Sequence, residues 1–117
     1  MKIPENFAKD ILKGKVSIVT GAGRGLGRGI ALGLAQAGSD IVLAARTQEQ
    51  IDRTAVEIRD IGQKALAIKT DITSSNDVSR MVERTIAEFG KIDVLVNNAG
   101  QNGSYCRHPF ENIPENE

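Results

Sequence analysis

A glycine-rich segment near the start of the chain has the residue types that bind phosphate groups. Residues 20–27 read Thr-Gly-Ala-Gly-Arg-Gly-Leu-Gly and lie between a short β-branched segment and a segment with helical spacing. Glycine permits positive φ and lets the backbone approach a ligand closely. A helix that begins there directs its free N–H groups and the positive end of its dipole at the turn. We therefore predict a pyrophosphate-binding turn, and a glycine-rich turn without a ligand is the alternative.

The spacing of these glycines distinguishes between kinds of phosphate-binding turn. No starting position fits G-x-G-x-x-G, and no Gly-Lys-Ser/Thr follows, which excludes a P-loop. The spacing that fits is T-G-x-x-x-G-x-G, with Thr20, Gly21, Gly25 and Gly27. The segment also reads G-x-G-x-G, the pattern of methyltransferases that bind S-adenosylmethionine. Those enzymes need an acid at the end of the second strand, where this chain has Ala45-Arg46, so a methyltransferase is the weaker alternative.

The period of the apolar residues switches between strand and helix along the chain. The predicted strands are 16–20, 41–45, 65–68 and 92–96, and the predicted helices are 25–36, 48–61 and 74–89. Leu26 is predicted on the core face of the first helix and Val82 on that of the third, and Ser74 with Asp77 indicates an acidic variant of the capping box. Apolar strands separated by helices predict a parallel sheet covered on both faces. With right-handed crossovers this is an α/β fold, a doubly wound, Rossmann-like parallel sheet truncated after the fourth strand.

Length, charge and cysteine content exclude several classes of protein. The 117 residues suffice for one ordinary domain, and 15 basic against 15 acidic residues give no general attraction to nucleic acid. A single cysteine excludes an internal disulfide and a CxxC metal or redox site, so no metal site is predicted. The chain has neither an apolar run long enough to span a bilayer nor the apolar core of a secretory signal. We expect a protein of the reducing cytoplasm, without a membrane or nucleic-acid partner.

Three motifs in this order resemble the short-chain dehydrogenase/reductase family. They are the glycine turn, Asp71-Ile72 after the third strand, and Asn97-Asn98-Ala99-Gly100 after the fourth. The resemblance extends from about Lys13 to the end of the chain. It implies an oxidoreductase that transfers a hydride between a dinucleotide cofactor and a small-molecule alcohol or carbonyl compound. For full-length relatives it also implies a homo-oligomer.

The resemblance also implies a role for individual residues. Those expected to wrap the phosphates and adenosine ribose are Gly21, Arg24, Gly25, Leu26 and Gly27. Asp71 would accept a hydrogen bond from the adenine amino group, with Ile72 packed on the ring. Asn98, Ala99 and Gly100 would line the cofactor groove, and Asn97 would tie the fourth strand to its neighbours. The alternative for the two asparagines is a strand-end turn that satisfies its own backbone.

The end of the second strand bears on the choice of cofactor. An acid there binds the 2′-OH of NAD, whereas an arginine binds the 2′-phosphate of NADP. This chain has Ala45 at the acid position, followed by Arg46, and Arg24 is placed to approach the same phosphate. Two guanidinium groups suit bidentate recognition of a phosphate dianion. NADP(H) is therefore predicted over NAD(H), and two solvated surface arginines are the alternative.

The catalytic residues of the family have no counterpart in these 117 residues. Relatives use a Ser, and a Tyr with a Lys four residues later; here the single tyrosine, Tyr105, has Pro109 at that position. Cys106 and His108 have no specific spacing that would support a nucleophile. No catalytic residue is assigned, and the isolated chain is expected to be inactive. A non-catalytic cofactor-binding fragment is the alternative function.

These observations divide the chain into three parts. Residues 1–14 are an N-terminal lead-in, 15–100 form a dinucleotide-binding βαβαβαβ unit, and 101–117 form a loop leading into the missing catalytic half. We expect the chain to be the N-terminal portion of a longer enzyme.

Overall fold

Strands and helices alternate along the whole of the described chain. The computed structural model describes residues 10–98, so most of the predicted lead-in 1–14 and all of the predicted loop 101–117 lie outside it. The elements are β1 (Val16–Thr20), α1 (Gly25–Gln36), β2 (Asp40–Ala45), α2 (Gln48–Ile61), β3 (Ala65–Lys69), α3 (Ser75–Phe89) and β4 (Val94–Val96). Within these residues no helix is long and apolar enough to cross a membrane.

The four strands form one parallel sheet in the order β3-β2-β1-β4. Val16 of β1 lies opposite Asp40 of β2, and Ser17 lies opposite Val94 of β4. The chain thus leaves β1 toward β2 and β3, whereas β4 lies on the other side of β1. The predicted doubly wound α/β fold is confirmed. In such a sheet a crevice opens outside the carboxyl ends of the strands at the point where the order reverses, here between β1 and β4.

Apolar side chains cover both faces of the sheet, which explains why the strands are apolar at nearly every position. Val19 of β1 belongs to a buried cluster on the side of α1 and α2, whereas Val16 and Ile18 belong to a second cluster on the side of α3. The first cluster contains Val19, Ala22, Ala31, Ala35, Ile41, Leu43, Ile51, Ala55 and Ile58. The second contains Val16, Ile18, Val42, Ala44, Ile68 and Met81.

Some residues predicted in the core are exposed instead. Leu26 is 73% exposed because the first turn of α1 adjoins the glycine turn at the sheet edge. The buried residues of α3 are Met81 and Thr85, four residues apart, so Val82 lies at the margin of the buried stripe and is 37% exposed. The spacing of apolar residues identified the correct helices but predicted too wide a buried face.

Asp93 fixes the start of β4 beside β1. Its Oδ2 accepts a hydrogen bond from the Val16 N–H at 2.9 Å, and its own N–H donates to the Val16 carbonyl at 2.9 Å. Lys91 Nζ lies 3.1 Å from the same carboxylate. The hydrogen bond from Val16 and that from Lys91 hold the pKa of Asp93 below its ordinary value. The charged form of Asp93 is therefore the form that the fold favours.

This pKa shift predicts a loss of stability in acid. Since the pKa of Asp93 is lower in the folded state, its carboxylate contributes fully above the ordinary value of 3.8, and the contribution is lost as the pH falls below that value. We expect Asp93→Asn to be less stable than the wild-type chain at neutral pH, with a difference that shrinks below about pH 4. Urea unfolding of both proteins across this range measures it. A difference in unfolding free energy that does not change with pH would contradict the prediction.

Candidate functional site

An open groove of about 450 Å³ lies along the carboxyl edge of the sheet. It extends from the segments that follow β2 and β3 to the glycine turn after β1 and to Asn98 after β4. It therefore includes the point between β1 and β4 where the strand order reverses and a ligand site is expected. The residues that line it are Gly21, Gly23, Arg24, Gly25, Ala45, Arg46, Thr47, Gln50, Thr70, Asp71, Ile72 and Asn98. Residues from the three sequence motifs, far apart in the chain, therefore meet in one groove.

The glycine turn has the backbone conformation that its sequence predicts. Gly21 has φ +63° and Gly25 has φ +57°, values that are strained for residues with a side chain. Arg24, at the N-cap of α1, makes no side-chain hydrogen bond to the helix, and the first turn of α1 contains no acidic residue. The N-terminus of α1 thus presents its positive dipole end to the groove without a competing carboxylate. This suits a phosphate group.

Gly27 allows α1 to begin directly against the glycine turn. A Cβ at Gly27 would lie 2.0 Å from the Gly21 carbonyl oxygen and 2.5 Å from Nδ2 of Asn98. Gly27 is buried, whereas Gly33 of the same helix is exposed and has open space around it. The two glycines therefore differ in function, because only the first permits a close approach of backbones.

A set of hydrogen bonds joins the ends of β1 and β4 beneath the groove. The Asn98 N–H donates to Oγ1 of Thr20 at 2.9 Å, and the Asn98 side-chain amide donates to the Gly21 carbonyl at 3.4 Å. The Thr20 hydroxyl lies within 3.3 Å of the Val96 carbonyl and 3.4 Å of Oδ1 of Asn97. The two asparagines are therefore attached to the glycine turn itself and not only to their own strand end.

Asp71 is held as a carboxylate on the opposite wall. Its Oδ1 accepts hydrogen bonds from the Thr73 hydroxyl at 2.6 Å and from the Thr73 N–H at 2.9 Å. These bonds, with the nearby charge of Arg46, lower the pKa of Asp71 below its ordinary value. The group is thus charged and oriented at neutral pH, ready to accept a hydrogen bond.

Asp77 fixes the backbone of the same segment. Ser74 Oγ accepts from the Asp77 N–H at 3.2 Å, as a capping box requires. The Asp77 carboxylate, however, accepts from the Asp71 N–H at 2.9 Å instead of reaching back to Ser74. The predicted capping box is therefore half formed, and its second half positions Asp71.

Two arginines make the β2 end of the groove positive. Arg24 and Arg46 are exposed, and neither forms a salt bridge within residues 10–98. Ala45 occupies the end of β2, so that position supplies no carboxylate. The acidic group near Arg46 is Asp71, whose pKa the charge of Arg46 helps to lower. Unpaired guanidinium groups on the wall of a groove are available to an anionic ligand.

The groove contains most of the residues predicted from the sequence, together with several that were missed. Leu26 is exposed but does not line it, and Gly27 lies buried beneath it. Ala99 and Gly100 lie outside the described residues, as do Tyr105, Cys106 and His108. The additional lining residues are Gly23, Thr47, Gln50 and Thr70. Gly23 could have been predicted, because it lies within the glycine turn. The other three line the groove only because the start of α2 and the end of β3 pack close to the glycine turn.

The short chain dehydrogenase family model matches residues 15–117, which includes every described residue of the groove. The chain belongs to the short-chain dehydrogenase family. Members of this family typically bind NAD or NADP. Membership agrees with the position of the groove, because the glycine turn, Asp71 and Asn98 all fall within the matched residues.

Curated and solved members of the family are similar to this chain over most of its length. A 1,6-dihydroxycyclohexa-2,4-diene-1-carboxylate dehydrogenase of Acinetobacter baylyi is 43% identical over 103 residues, which is 88% of this chain and 38% of that protein. A hydroxynaphthalene reductase-like protein of Metarhizium anisopliae is 46% identical over 90 residues, 76% of this chain and 34% of that protein.

The crystal structure of a hydroxysteroid dehydrogenase from Escherichia coli is similar in fold. It has 39% sequence identity and a TM-score of 0.76, over 88% of this chain and 42% of that one. A short-chain dehydrogenase/reductase from Mycobacterium marinum has 34% identity and a TM-score of 0.78, over 95% and 42% of the two chains. The chain therefore spans about a third to two fifths of the length of these short-chain dehydrogenases.

The two helical glycines give a matched test of the close approach. We expect Gly27→Ala to destabilise the chain by about 1–3 kcal/mol, because its Cβ overlaps the Gly21 carbonyl. Gly33→Ala should stabilise the chain by up to about 1 kcal/mol, since it gains helix propensity without a contact. Urea unfolding measures both values. Equal stability of Gly27→Ala and Gly33→Ala would show that no close approach exists.

Proposed function

We propose that this chain is the dinucleotide-binding part of an NADP-dependent oxidoreductase that transfers a hydride between an alcohol and a carbonyl compound. One observation carries the proposal: a glycine turn at a helix N-terminus, a hydrogen-bonded carboxylate and two arginines without a salt bridge in residues 10–98 line the same groove. A secondary alcohol or ketone as substrate is supported by the names of the relatives, which are dehydrogenases or reductases of hydroxylated ring compounds.

Three parts of the groove would hold different parts of NADP. The N-terminus of α1 would bind the pyrophosphate, because its N–H groups and dipole face the glycine turn without an acidic neighbour. Asp71 would accept a hydrogen bond from the adenine amino group, with its oxygen positioned by Thr73. Asn98 would keep the glycine turn and the end of β4 in place through its hydrogen bonds to Thr20 and Gly21. The close packing of Gly27 against the Gly21 carbonyl fits a pyrophosphate at this turn, since any side chain at position 27 would displace the turn.

The choice of NADP over NAD rests on charge. The 2′-phosphate is a dianion, and Arg24 and Arg46 offer two guanidinium groups that form no salt bridge with a described carboxylate. With Ala45 in place of an acid, the groove offers the 2′-OH of NAD no carboxylate acceptor at the end of β2. The same absence disfavours S-adenosylmethionine, whose ribose hydroxyls also need an acid there.

In this proposal, hydride transfer requires the whole protein and not these 117 residues alone. When bound, the nicotinamide ring of the cofactor would supply the hydride for reduction of a carbonyl compound or accept it from an alcohol. The groove residues of this chain hold and orient the dinucleotide and leave its phosphates in a fixed position. The 117 residues contain no Tyr followed four residues later by Lys, so we assign them binding without turnover.

Two substitutions at the end of β2 test the cofactor preference. We expect Arg46→Ala to lose about tenfold or more in NADPH affinity and little in NADH affinity, because a charged contact to the phosphate contributes about 1.5–3 kcal/mol. Ala45→Asp should shift the preference toward NADH, since it supplies an acceptor for the 2′-OH and repels the phosphate. Calorimetric titration of the chain with each dinucleotide measures both effects.

A control variant removes an equal charge from α2, the helix that follows Arg46. Arg53 of α2 is exposed and does not line the groove, so Arg53→Ala should leave both affinities within about twofold of wild type. An unchanged NADPH preference in both Arg46→Ala and Ala45→Asp would overturn the assignment of NADP. Tighter binding of S-adenosylmethionine than of either dinucleotide would overturn the proposed function.

A further inference from the structure

The side chain of Gln50 is a polar group of the groove to which the binding scheme above gives no role. Gln50 lies in the first turn of α2 and lines the groove with Arg46 and Thr47. Its backbone is fully engaged, because its N–H donates to the Thr47 carbonyl and its carbonyl accepts from the Thr54 hydroxyl. Its carboxamide makes no hydrogen bond to any residue in the range 10–98. A half-buried amide without a hydrogen-bond partner among the described residues thus lines the same groove as the two arginines.

The position of this amide is set by a contact with the glycine turn. A Cβ at Gly23 would lie 2.6 Å from Cβ and 2.9 Å from Oε1 of Gln50. Gly23 is not among the glycines with positive φ, so glycine is required here by space and not by backbone conformation. The side chain of Gln50 therefore lies against the backbone of Gly23, in the same lining as Arg24 and Arg46.

We propose that Gln50 is a specificity-determining residue for NADP, and that its side-chain amide donates a hydrogen bond to the 2′-phosphate. The inference rests on the proposed function. A carboxamide offers two N–H donors and carries no charge that would repel the dianion. Gly23 permits this arrangement, because the missing Cβ leaves the space that the Gln50 side chain occupies. Arg24 and Arg46 would offset the negative charge of the phosphate, and the uncharged Gln50 amide would donate a hydrogen bond to it from α2.

A change of one atom in the carboxamide tests this role. Gln50→Glu keeps the size of the side chain but places a carboxylate beside the phosphate. We expect it to weaken NADPH binding by about tenfold or more and NADH binding by less than about twofold. Gln50→Ala, which keeps the Cβ contact with Gly23 and removes the amide, should weaken NADPH binding by about three- to tenfold. Calorimetric titration with each dinucleotide measures these affinities.

Gln48→Glu is the matched control for charge. Gln48 also lies in the first turn of α2, but its side chain bonds to Asp52 and does not line the groove. It should change the two affinities equally and by less than about twofold, because exposed charges away from the site are screened. If Gln48→Glu reproduces the selective loss of Gln50→Glu, the effect comes from long-range charge and the proposed hydrogen bond is overturned.

The contact with Gly23 gives a second, independent test. Gly23→Ala should weaken the binding of both dinucleotides, since its Cβ collides with that of Gln50. The double variant Gly23→Ala/Gln50→Gly adds a Cβ at position 23 and removes the one at position 50, so the two Cβ atoms no longer collide. It should restore NADH affinity to within about threefold of wild type while leaving NADPH binding weakened, because the amide is gone. Restoration of both affinities would overturn the role of the amide.

The failure of this inference is distinguishable from the failure of the proposed function. A wild-type chain that binds NADPH tightly, with a Gln50→Glu variant that binds it equally well, overturns the role of Gln50 and leaves the proposed function intact. A wild-type chain that binds neither dinucleotide, or both equally, overturns the proposed assignment of NADP, and the role of Gln50 falls with it.

Discussion

The geometry of the groove depends on a helix that begins in contact with a carbonyl group. Because Gly27 has no side chain, α1 starts directly against the Gly21 carbonyl, in space that a Cβ would fill at 2.0 Å. The left-handed conformations of Gly21 and Gly25 then turn the chain back under the helix N-terminus. A side chain at Gly27 would force the helix away from the turn, whereas a side chain at Gly21 or Gly25 would strain the backbone at its positive φ.

The second helix supports this turn and also carries Gln50, which lines the groove. The buried Thr54 hydroxyl of α2 donates to the Ala22 carbonyl at 3.3 Å, in the middle of the glycine turn. On the surface, Arg28 of α1 and Glu57 of α2 form a two-point ion pair that joins the helices. Such an exposed pair contributes little free energy, but it restricts the relative position of the helices. A displacement of α2 would therefore alter the glycine turn and the part of the groove lined by Gln50 together.

Sequence patterns predicted the elements better than the contacts between them. Helices 25–36 and 48–61 match the structure because local signals determine them. These signals are apolar residues at helical spacing and, for the second helix, the left-handed Gly62 that follows its last turn. The parallel order also placed the motifs at one edge of the sheet, since strands joined by helices end on the same side. The prediction that Leu26 lies in the core was wrong. Helical spacing shows which side of a helix faces the sheet, but it does not show where the sheet ends, and Leu26 lies in the turn of α1 at the sheet edge. The contact between Gly23 and Gln50 could not be predicted from the sequence. It depends on the distance between the glycine turn and α2, and the local sequence of neither segment determines that distance.

The most direct test of the account is a titration of isotope-labelled protein with NADPH, followed by nuclear magnetic resonance of the backbone amides. If the glycine turn binds the pyrophosphate, the amide signals of Gly21, Gly25 and Gly27 should move most, together with those of Arg46 and Asp71. The signals of exposed glycines on the far end of α1, such as Gly33, should stay in place. Shifts concentrated away from the glycine turn, or none at saturating NADPH, would contradict the claim that this groove is a dinucleotide site.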